Sequence, residues 1–165
     1  METDYRIAMR IGYSNKSDWS LLLTRLFLGV VIAAHGAQKL FGWFGGFGFE
    51  GSLNFFNQDV GLPYIAGLLI ILEESFGMLA LIAGIFTRVC AAGMIVIMLG
   101  ALVTTHLEHG FFMNWFGNQA GEGYEFDLLV IALCLQLVIH GAGAYSLDRF
   151  LATRFRERFQ IEKFI

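Results

Sequence analysis

The sequence predicts an all-α integral membrane protein that folds as a four-helix bundle. The 165-residue chain is 56% hydrophobic and only 15% charged, and its mean hydropathy is +0.62. It therefore has too few charged side chains to cover the surface of a soluble domain. Its apolar residues form continuous runs near the ~20 residues that a helix needs to cross hydrocarbon. Because these runs do not alternate with polar residues, membrane β-strands are not expected.

The apolar runs define four predicted spans and two flanking segments. The spans are residues 19–41, 62–86, 89–107 and 126–142. Pro63 lies in the first turn of the second span, where its missing N–H leaves no helical hydrogen bond unmade. We expect the four-helix domain to cover residues 19–148, after a polar cytoplasmic segment 1–18 and before a basic tail 149–165.

The basic tail is predicted to form an amphipathic helix on the cytoplasmic surface of the membrane. Leu151, Phe155 and Phe159 are spaced four residues apart, which puts them on one helix face. Arg154 and Arg158 lie beside this face and suit an anionic inner leaflet. A helix that docks a cytoplasmic partner is the alternative.

The distribution of Lys and Arg predicts that both termini lie in the cytoplasm. Two of the eleven Lys and Arg residues, Arg25 and Lys39, lie inside the first span. The other nine lie on the side of the spans away from the two long loops: Arg6, Arg10, Lys16, Arg88, Arg149, Arg154, Arg156, Arg158 and Lys163. The long loops, residues 42–61 and 108–125, contain neither Lys nor Arg. The positive-inside rule therefore predicts an N-in, C-in protein. Without a basic groove pattern, no nucleic-acid partner is expected.

The first span carries basic side chains that are expected to face the interior of the bundle. Arg25, Gly29, Gly36 and Lys39 share one stripe of the helix, and His35 lies on its flank. The two glycines allow a neighbouring helix to approach closely. An ionisable group in lipid costs at least a few kcal/mol, so these groups need polar partners. For Arg25, a structural intramembrane charge, the expected partner is Asp148 or Gln136.

The other spans carry acidic and histidine side chains near the same depth as His35 and Lys39. Glu73 and Glu74 lie near the middle of the second span, His106 ends the third and Glu125 begins the fourth. Straight-helix geometry favours Glu73 over Glu74 as the inward-facing residue. The sequence therefore predicts a polar cluster that opens to the outer side, formed by His35, Lys39, Glu73, Glu74, His106 and Glu125.

Two interpretations of this polar cluster stay open. The side chains could be interhelical ion pairs that hold the bundle together. They could also line a pocket for a small polar molecule or a quinone head group, with His and Lys bonding carbonyl oxygens and Glu exchanging protons. A metal site built on His35, His106 and His109 has weaker support, since no helix offers two ligands at i, i+3 or i, i+4. We therefore predict no metal and no covalently bound cofactor.

Several segments occur in an order that resembles a known family. They are "RLFLGVVIAAHGAQKLFG", "GLP", "EESFGMLALIAGIFTR", His106, "GEGYEFDLLV" and "HGAGAYSLD". Together they resemble the DoxX family of small four-helix bacterial membrane proteins, over residues 19–148. In the family pattern a glutamate precedes a glycine by three residues and a Thr-Arg pair by thirteen. Glu74 fits this spacing and Glu73 does not, so the resemblance favours Glu74 as the inward-facing residue, and we follow it.

The resemblance implies redox chemistry at the bacterial inner membrane, through quinone. Related membrane subunits belong to thiosulfate:quinone oxidoreductase, and other relatives partner thiol-handling or superoxide-detoxifying enzymes. We therefore expect a subunit or accessory of a quinone-linked oxidoreductase, and whether the chain is itself an enzyme stays open. Glu74 and His106 would transfer protons, and the ligand would be bound by His35, Lys39, Glu73 and Glu125.

The alternative is a non-enzymatic protein, either a small-molecule transporter or a scaffold that docks a soluble redox enzyme. The expected partners are the lipid bilayer and a soluble or peripheral oxidoreductase. Assembly into a homo-oligomer stays open.

Overall fold

The computed structural model describes the backbone of residues 2–161 and the side chains of residues 17–154. Within this part all regular secondary structure is helical and there is no strand, which confirms the predicted all-α class. The α-helices are α1 (Glu2–Phe41), α2 (Gly48–Asn54), α3 (Tyr64–Leu72), α4 (Met78–Ala83), α5 (Thr87–Ala101), α6 (Glu125–His140) and α7 (Leu147–Ile161). Three π-helical turns continue α2, α3 and α5: π1 (Phe55–Asp59), π2 (Glu73–Gly77) and π3 (Leu102–His106).

Three helical runs are long and apolar enough to cross a membrane, in the part of the chain that the structure describes. They are Ser17–Phe41, Tyr64–Ala83 and Thr87–His109. The second run joins α3, π2 and α4, and the third joins α5, π3 and a short 3-10 turn. These runs agree with the first three predicted spans. Helix α6 has 16 residues, or about 24 Å, which is shorter than the ~30 Å of hydrocarbon, so its crossing stays a prediction.

The glycine stripe of α1, predicted to allow the close approach of a neighbouring helix, packs against the second span. A Cβ on Gly36 would lie 2.5 Å from the carbonyl oxygen of Glu74 and 2.7 Å from the amide nitrogen of Ser75. A Cβ on Gly29 would lie 3.2 Å from the carbonyl oxygen of Met78. The two helices therefore touch backbone to backbone, an approach that only residues without side chains permit.

The apolar core joins the three apolar runs and α6. Ile32, Met78, Met94 and Leu137 are each at most 1% exposed and come from α1, α4, α5 and α6 respectively. Helix α5 packs most extensively on α6, and on the second span it packs against π2 and α4. It makes no comparable contact with α3. The second and third spans are therefore close together along residues 73–83 and separate along α3.

Arg25 is fully buried at the terminal end of the bundle, the end formed by residues 84–86 and 141–147. Its Nη1 donates to the carbonyl oxygens of Leu81 at 3.3 Å and Ile82 at 3.0 Å. Its Nη2 donates to the carbonyl oxygen of Tyr145 at 2.5 Å. Leu81 and Ile82 belong to the last turn of α4, where carbonyl oxygens lack a full set of partners within the helix and a cation is favourable.

The two partners predicted for Arg25 make their own hydrogen bonds to other groups. Asp148 is near enough to interact electrostatically with Arg25, but its carboxylate accepts hydrogen bonds from the backbone N–H groups of Phe86 and Thr87, at 3.0 and 3.2 Å. Gln136 accepts from the hydroxyl of Thr24 at 3.5 Å. Asp148, one of the two predicted partners, is therefore an electrostatic partner of Arg25, while the hydrogen bonds of Arg25 go to backbone carbonyls. Asp148 caps the start of α5, because the first N–H groups of a helix need acceptors from outside it.

Both flanking segments have helical backbone where the structure describes it. Helix α1 begins at Glu2, within the predicted segment 1–18, and is continuous with the first span. Helix α7 follows the bundle as predicted, with Leu151 and Arg154 both exposed. The amphipathic face expected for the tail also includes side chains beyond residue 154, which lie outside the described residues.

Candidate functional site

A cavity of ≈ 800 Å³ lies among the spans at the loop end of the bundle, the end formed by residues 42–63 and 110–124. Most of its lining is apolar and comes from α3, α5, π1 and residues 60–62. Ionisable side chains from α1, π2, π3, α6 and the 110–124 loop reach the same space. They are His35, Lys39, Glu73, Glu74, His106, Glu122 and Asp127.

The first acid–base pair in the cavity joins α1 to the second span. Lys39 Nζ lies 2.5 Å from Glu74 Oε2, and the Glu74 side chain is 5% exposed. The close approach at Gly36, one turn before Lys39, brings the two helices near enough for this contact. A hydrogen bond between two ionised groups is short and strong. It uses one of the three ammonium protons, so two N–H donors of Lys39 remain for other acceptors.

The second pair joins the third span to α6. His106 Nδ1 lies 2.7 Å from Asp127 Oδ2, and the Asp127 side chain is 1% exposed. As a carboxylate, Asp127 only accepts, so in the neutral imidazole the proton resides on Nδ1 and Nε2 is a proton acceptor. This arrangement orients the ring and sets its tautomer, as carboxylate–histidine pairs do in many sites. Asp127 Oδ1 is buried and has no hydrogen-bond partner among the described residues.

Glu73 lies in a slot formed by two glycines. A Cβ on Gly77 would lie 2.6 Å from the carboxyl carbon of Glu73, and a Cβ on Gly93 of α5 would lie 3.2 Å from the same atom. Glu73 Oε1 is buried without a hydrogen-bond partner in the described structure. Leaving a buried polar atom unsatisfied costs about 1–3 kcal/mol. A proton or a donor from a bound molecule would satisfy this oxygen.

The π2 turn explains how two consecutive glutamates both reach the cavity. In a straight α-helix, adjacent residues point about 100° apart. A π-helical turn is wider and contains one additional residue, which changes the direction of every side chain near it. Glu74 consequently faces Lys39 on α1, while Glu73 faces the glycine slot against α5. Straight-helix geometry favoured Glu73 and the family spacing favoured Glu74 as the inward-facing residue. In the structure both line the cavity, and Glu74 is the one that contacts Lys39.

The remaining predicted residues lie in different places. His35 lines the cavity, and its ring lies 5.9 Å from that of Phe126, centroid to centroid. Glu125 does not line the cavity, contrary to expectation, because its Oε1 accepts hydrogen bonds from Met113 N at 2.9 Å and Trp115 Nε1 at 2.8 Å. It is the first residue of α6, so it faces the preceding loop.

Asp127 is the cavity residue that sequence reasoning missed. It follows Glu125 by two positions, which corresponds to about 200° around a helix, and so it faces π3 rather than the loop. The sequence could have indicated Asp127, because it is a carboxylate inside the fourth apolar run. The predicted spans also place it at about the same depth as His106. Isolated carboxylates at membrane depth require a partner, and His106 was the available one.

Comparison with known proteins decides the family. The sequence model of the DoxX family matches residues 20–107, more than half of the chain. The chain belongs to the DoxX family. The DoxX match includes His35, Lys39, both glutamates of π2 and His106, and it ends before α6 and Asp127. The second acid–base pair therefore joins a residue inside the DoxX match to one beyond it.

One curated relative covers most of the chain. "Putative oxidoreductase CatD" of Bacillus subtilis (strain 168) is 29% identical over 138 residues, which are 83% of this chain and 91% of that protein. No solved structure matches the chain. With its DoxX membership and three helices suited to crossing hydrocarbon, this is a membrane protein.

Proposed function

We propose that this protein is the membrane subunit or accessory of a quinone-linked oxidoreductase system, and that its cavity binds a quinone head group. The observation that carries the proposal is the presence of two acid–base pairs, Lys39–Glu74 and His106–Asp127, in one largely apolar cavity. The name of the CatD relative supports a redox role. A cavity of ≈ 800 Å³ is within the ~300–1,000 Å³ typical of small-molecule sites.

The chemistry of a quinone matches the donors that these pairs offer. Its two carbonyl oxygens accept hydrogen bonds, which Lys39 Nζ and a protonated His106 Nε2 can donate. Reduction to the quinol consumes two electrons and two protons. A soluble or peripheral oxidoreductase supplies the electrons, and His106 with the Lys39–Glu74 pair supplies the protons. In the reverse direction, neutral His106 accepts a proton from the quinol hydroxyl at Nε2.

The remaining residues would have supporting roles in this function. His35 would hold one face of the quinone ring, since it lines the cavity beside the Phe126 ring. The buried Glu73 oxygen would accept from a quinol hydroxyl or hold a proton in reserve. Glu125 would fix the 110–124 loop at the cavity margin, and Arg25 would hold the terminal end of the bundle together.

We also propose a four-span topology in the bacterial inner membrane, with both termini in the cytoplasm. Nine Lys and Arg residues lie on the terminal side of the spans, and residues 42–61 and 108–125 have none. The positive-inside rule then directs the cavity and the loop end to the outer side. Local thinning of the bilayer would accommodate the 16-residue α6.

Titration of the purified protein with decylubiquinone tests the proposal, with quenching of the native tryptophans as the signal. His106→Ala and Glu74→Gln each remove one partner of a buried pair, which costs about 1.5–3 kcal/mol, so we expect binding to weaken about ten- to hundredfold. His140→Ala and Glu50→Gln are matched controls, because neither residue lines the cavity, and they should bind like the wild type.

Unchanged binding in both cavity variants would contradict the proposal and favour the non-enzymatic alternative. That alternative is a small-molecule transporter, or a scaffold that docks a soluble redox enzyme. Helix α7 supports the scaffold, because exposed Phe150 and Leu151 lie beside basic Arg149 and Arg154.

A further inference from the structure

We propose that the ligand reaches the cavity sideways from the lipid bilayer, through a gap between the second and third spans. The gap, called here the portal, has a rim of four residues: Leu69, Val96, Gly100 and Thr104. The ligand would then be a membrane-dissolved amphiphile with a polar head and an apolar tail, rather than a water-soluble solute. This inference rests on the proposed function and specifies how its ligand is delivered.

The portal exists because two spans separate at one end. Helix α5 packs against residues 73–83 of the second span, and it makes no comparable contact with α3. Leu69 and Ile70 of α3 and Val96 and Ile97 of α5 nevertheless line the same cavity. A Cβ on Gly100 would meet no atom within 4 Å. The space between the two helices is therefore open at this level.

The rim of the portal lies at a depth where the protein contacts lipid rather than water. Val96 is the tenth residue of the 23-residue span Thr87–His109, close to its middle, and it is 70% exposed. Leu69, on the opposite side of the portal, is 57% exposed within the span Tyr64–Ala83. Exposed surface near the middle of a membrane span contacts acyl chains. A molecule in the portal would therefore contact the hydrocarbon of the bilayer.

The polarity of the cavity matches an amphiphile in one orientation. The portal side is mostly aliphatic, with Thr104 as its polar residue, and the two acid–base pairs tie α1 to π2 and π3 to α6. Toward the loop end, most of the lining is apolar, from Phe55, Phe56, Val60 and Leu62, and Glu122 is the ionisable side chain there. A tailed molecule can keep its tail in lipid while its head reaches Lys39 and His106. A charged solute entering from the bilayer would have to pass the apolar side chains of the portal.

Gly100→Phe tests this inference, with Leu99→Phe as the matched control. Position 100 lines the cavity and has open space around it, whereas the neighbouring Leu99 is exposed but does not line it. Both variants keep the native tryptophans, so binding can be measured by the same fluorescence quenching. The two probes share one head group: decylubiquinone has a tail, and 2,3-dimethoxy-5-methyl-1,4-benzoquinone has none.

We expect Gly100→Phe to weaken decylubiquinone binding about tenfold or more, because it fills the space that the tail requires. Binding of the tail-less benzoquinone should remain within about twofold of the wild type, since the head site is untouched. Leu99→Phe should change neither. Val96→Phe, one turn earlier on the same face of α5, should repeat the result. It also guards against a folding defect in the first variant.

Three outcomes would overturn the inference. If Gly100→Phe weakens both probes equally or neither, the portal does not hold a tail, although the proposed head site stands. If native mass spectrometry detects a phospholipid that decylubiquinone does not displace, the portal is a lipid site instead. If neither probe binds the wild type, the proposed function fails and this inference fails with it.

Discussion

The Asp127→Leu substitution should release His106 from its tautomer and weaken quinone binding. Leucine has nearly the shape of aspartate but no acceptor, so the 2.7 Å bond to His106 Nδ1 is lost. A hydrogen bond to a charged, buried group contributes about 1.5–3 kcal/mol. With that bond lost, the His106 ring no longer has a fixed orientation, so Nε2 is not held toward the ligand and the quinone affinity falls by about ten- to hundredfold. Asp127→Asn should lose less affinity, because the amide oxygen of asparagine can still accept a hydrogen bond from His106 Nδ1.

Nitrogen-15 NMR of the imidazole rings measures this effect directly. The chain has four histidines, and comparison with His106→Ala assigns the signal of His106. In the wild type we expect the proton on Nδ1, because Asp127 accepts from that atom. In Asp127→Leu the His106 ring should move toward the Nε2–H form, while His140, at the opposite end of the bundle, keeps its signal.

Two results would refute this reasoning. One is a His106 signal that is the same in the wild type and in Asp127→Leu, which would mean that Asp127 does not set the tautomer. The other is a changed tautomer with unchanged quinone affinity, which would mean that Nε2 does not contact the ligand. A circular dichroism spectrum with wild-type helix content would establish that the variant is folded.

Three further predictions concern the residues that hold the site in place. Arg25→Leu should lower the free energy of unfolding by about 1.5–3 kcal/mol, because three carbonyl oxygens lose a charged donor. Thermal unfolding in detergent measures this change, and Arg88→Leu, at an exposed position, is the control. Gly36→Val should cost about 1–3 kcal/mol by overpacking against π2, whereas Gly100→Val, in open space, should cost almost nothing in the same assay. Glu125→Gln should leave the quinone affinity within about twofold, since its role is in the loop; a larger loss on titration would return Glu125 to the binding site.

The spans could be predicted from the sequence because hydrocarbon requires long apolar runs. Residues 62–86 and 89–107 agree with the observed Tyr64–Ala83 and Thr87–His109 to within a few residues. The inward direction of the α1 stripe followed from the cost of basic groups in lipid and from glycine spacing. Both arguments depend on composition and helical period, which a sequence displays directly.

The contacts of the site could not be derived in the same way. A π-helical turn changes which side chain faces which neighbour, and nothing in the residues around Glu73 and Glu74 identifies one. The partners of Arg25 are backbone carbonyls, which every residue possesses and no residue type indicates. The direction in which Glu125 and Asp127 point depends on the residue at which α6 begins. A shift of that residue by one or two positions reverses the direction of each side chain.

An experimental density map of the protein with bound decylubiquinone is the most direct measurement of the central claim. We predict the quinone ring in the cavity, with its carbonyl oxygens about 3 Å from Lys39 Nζ and His106 Nε2, and its tail passing Gly100 toward lipid. A quinone bound on the outside of the bundle, with Lys39 and His106 contacting only their own carboxylates, would contradict it.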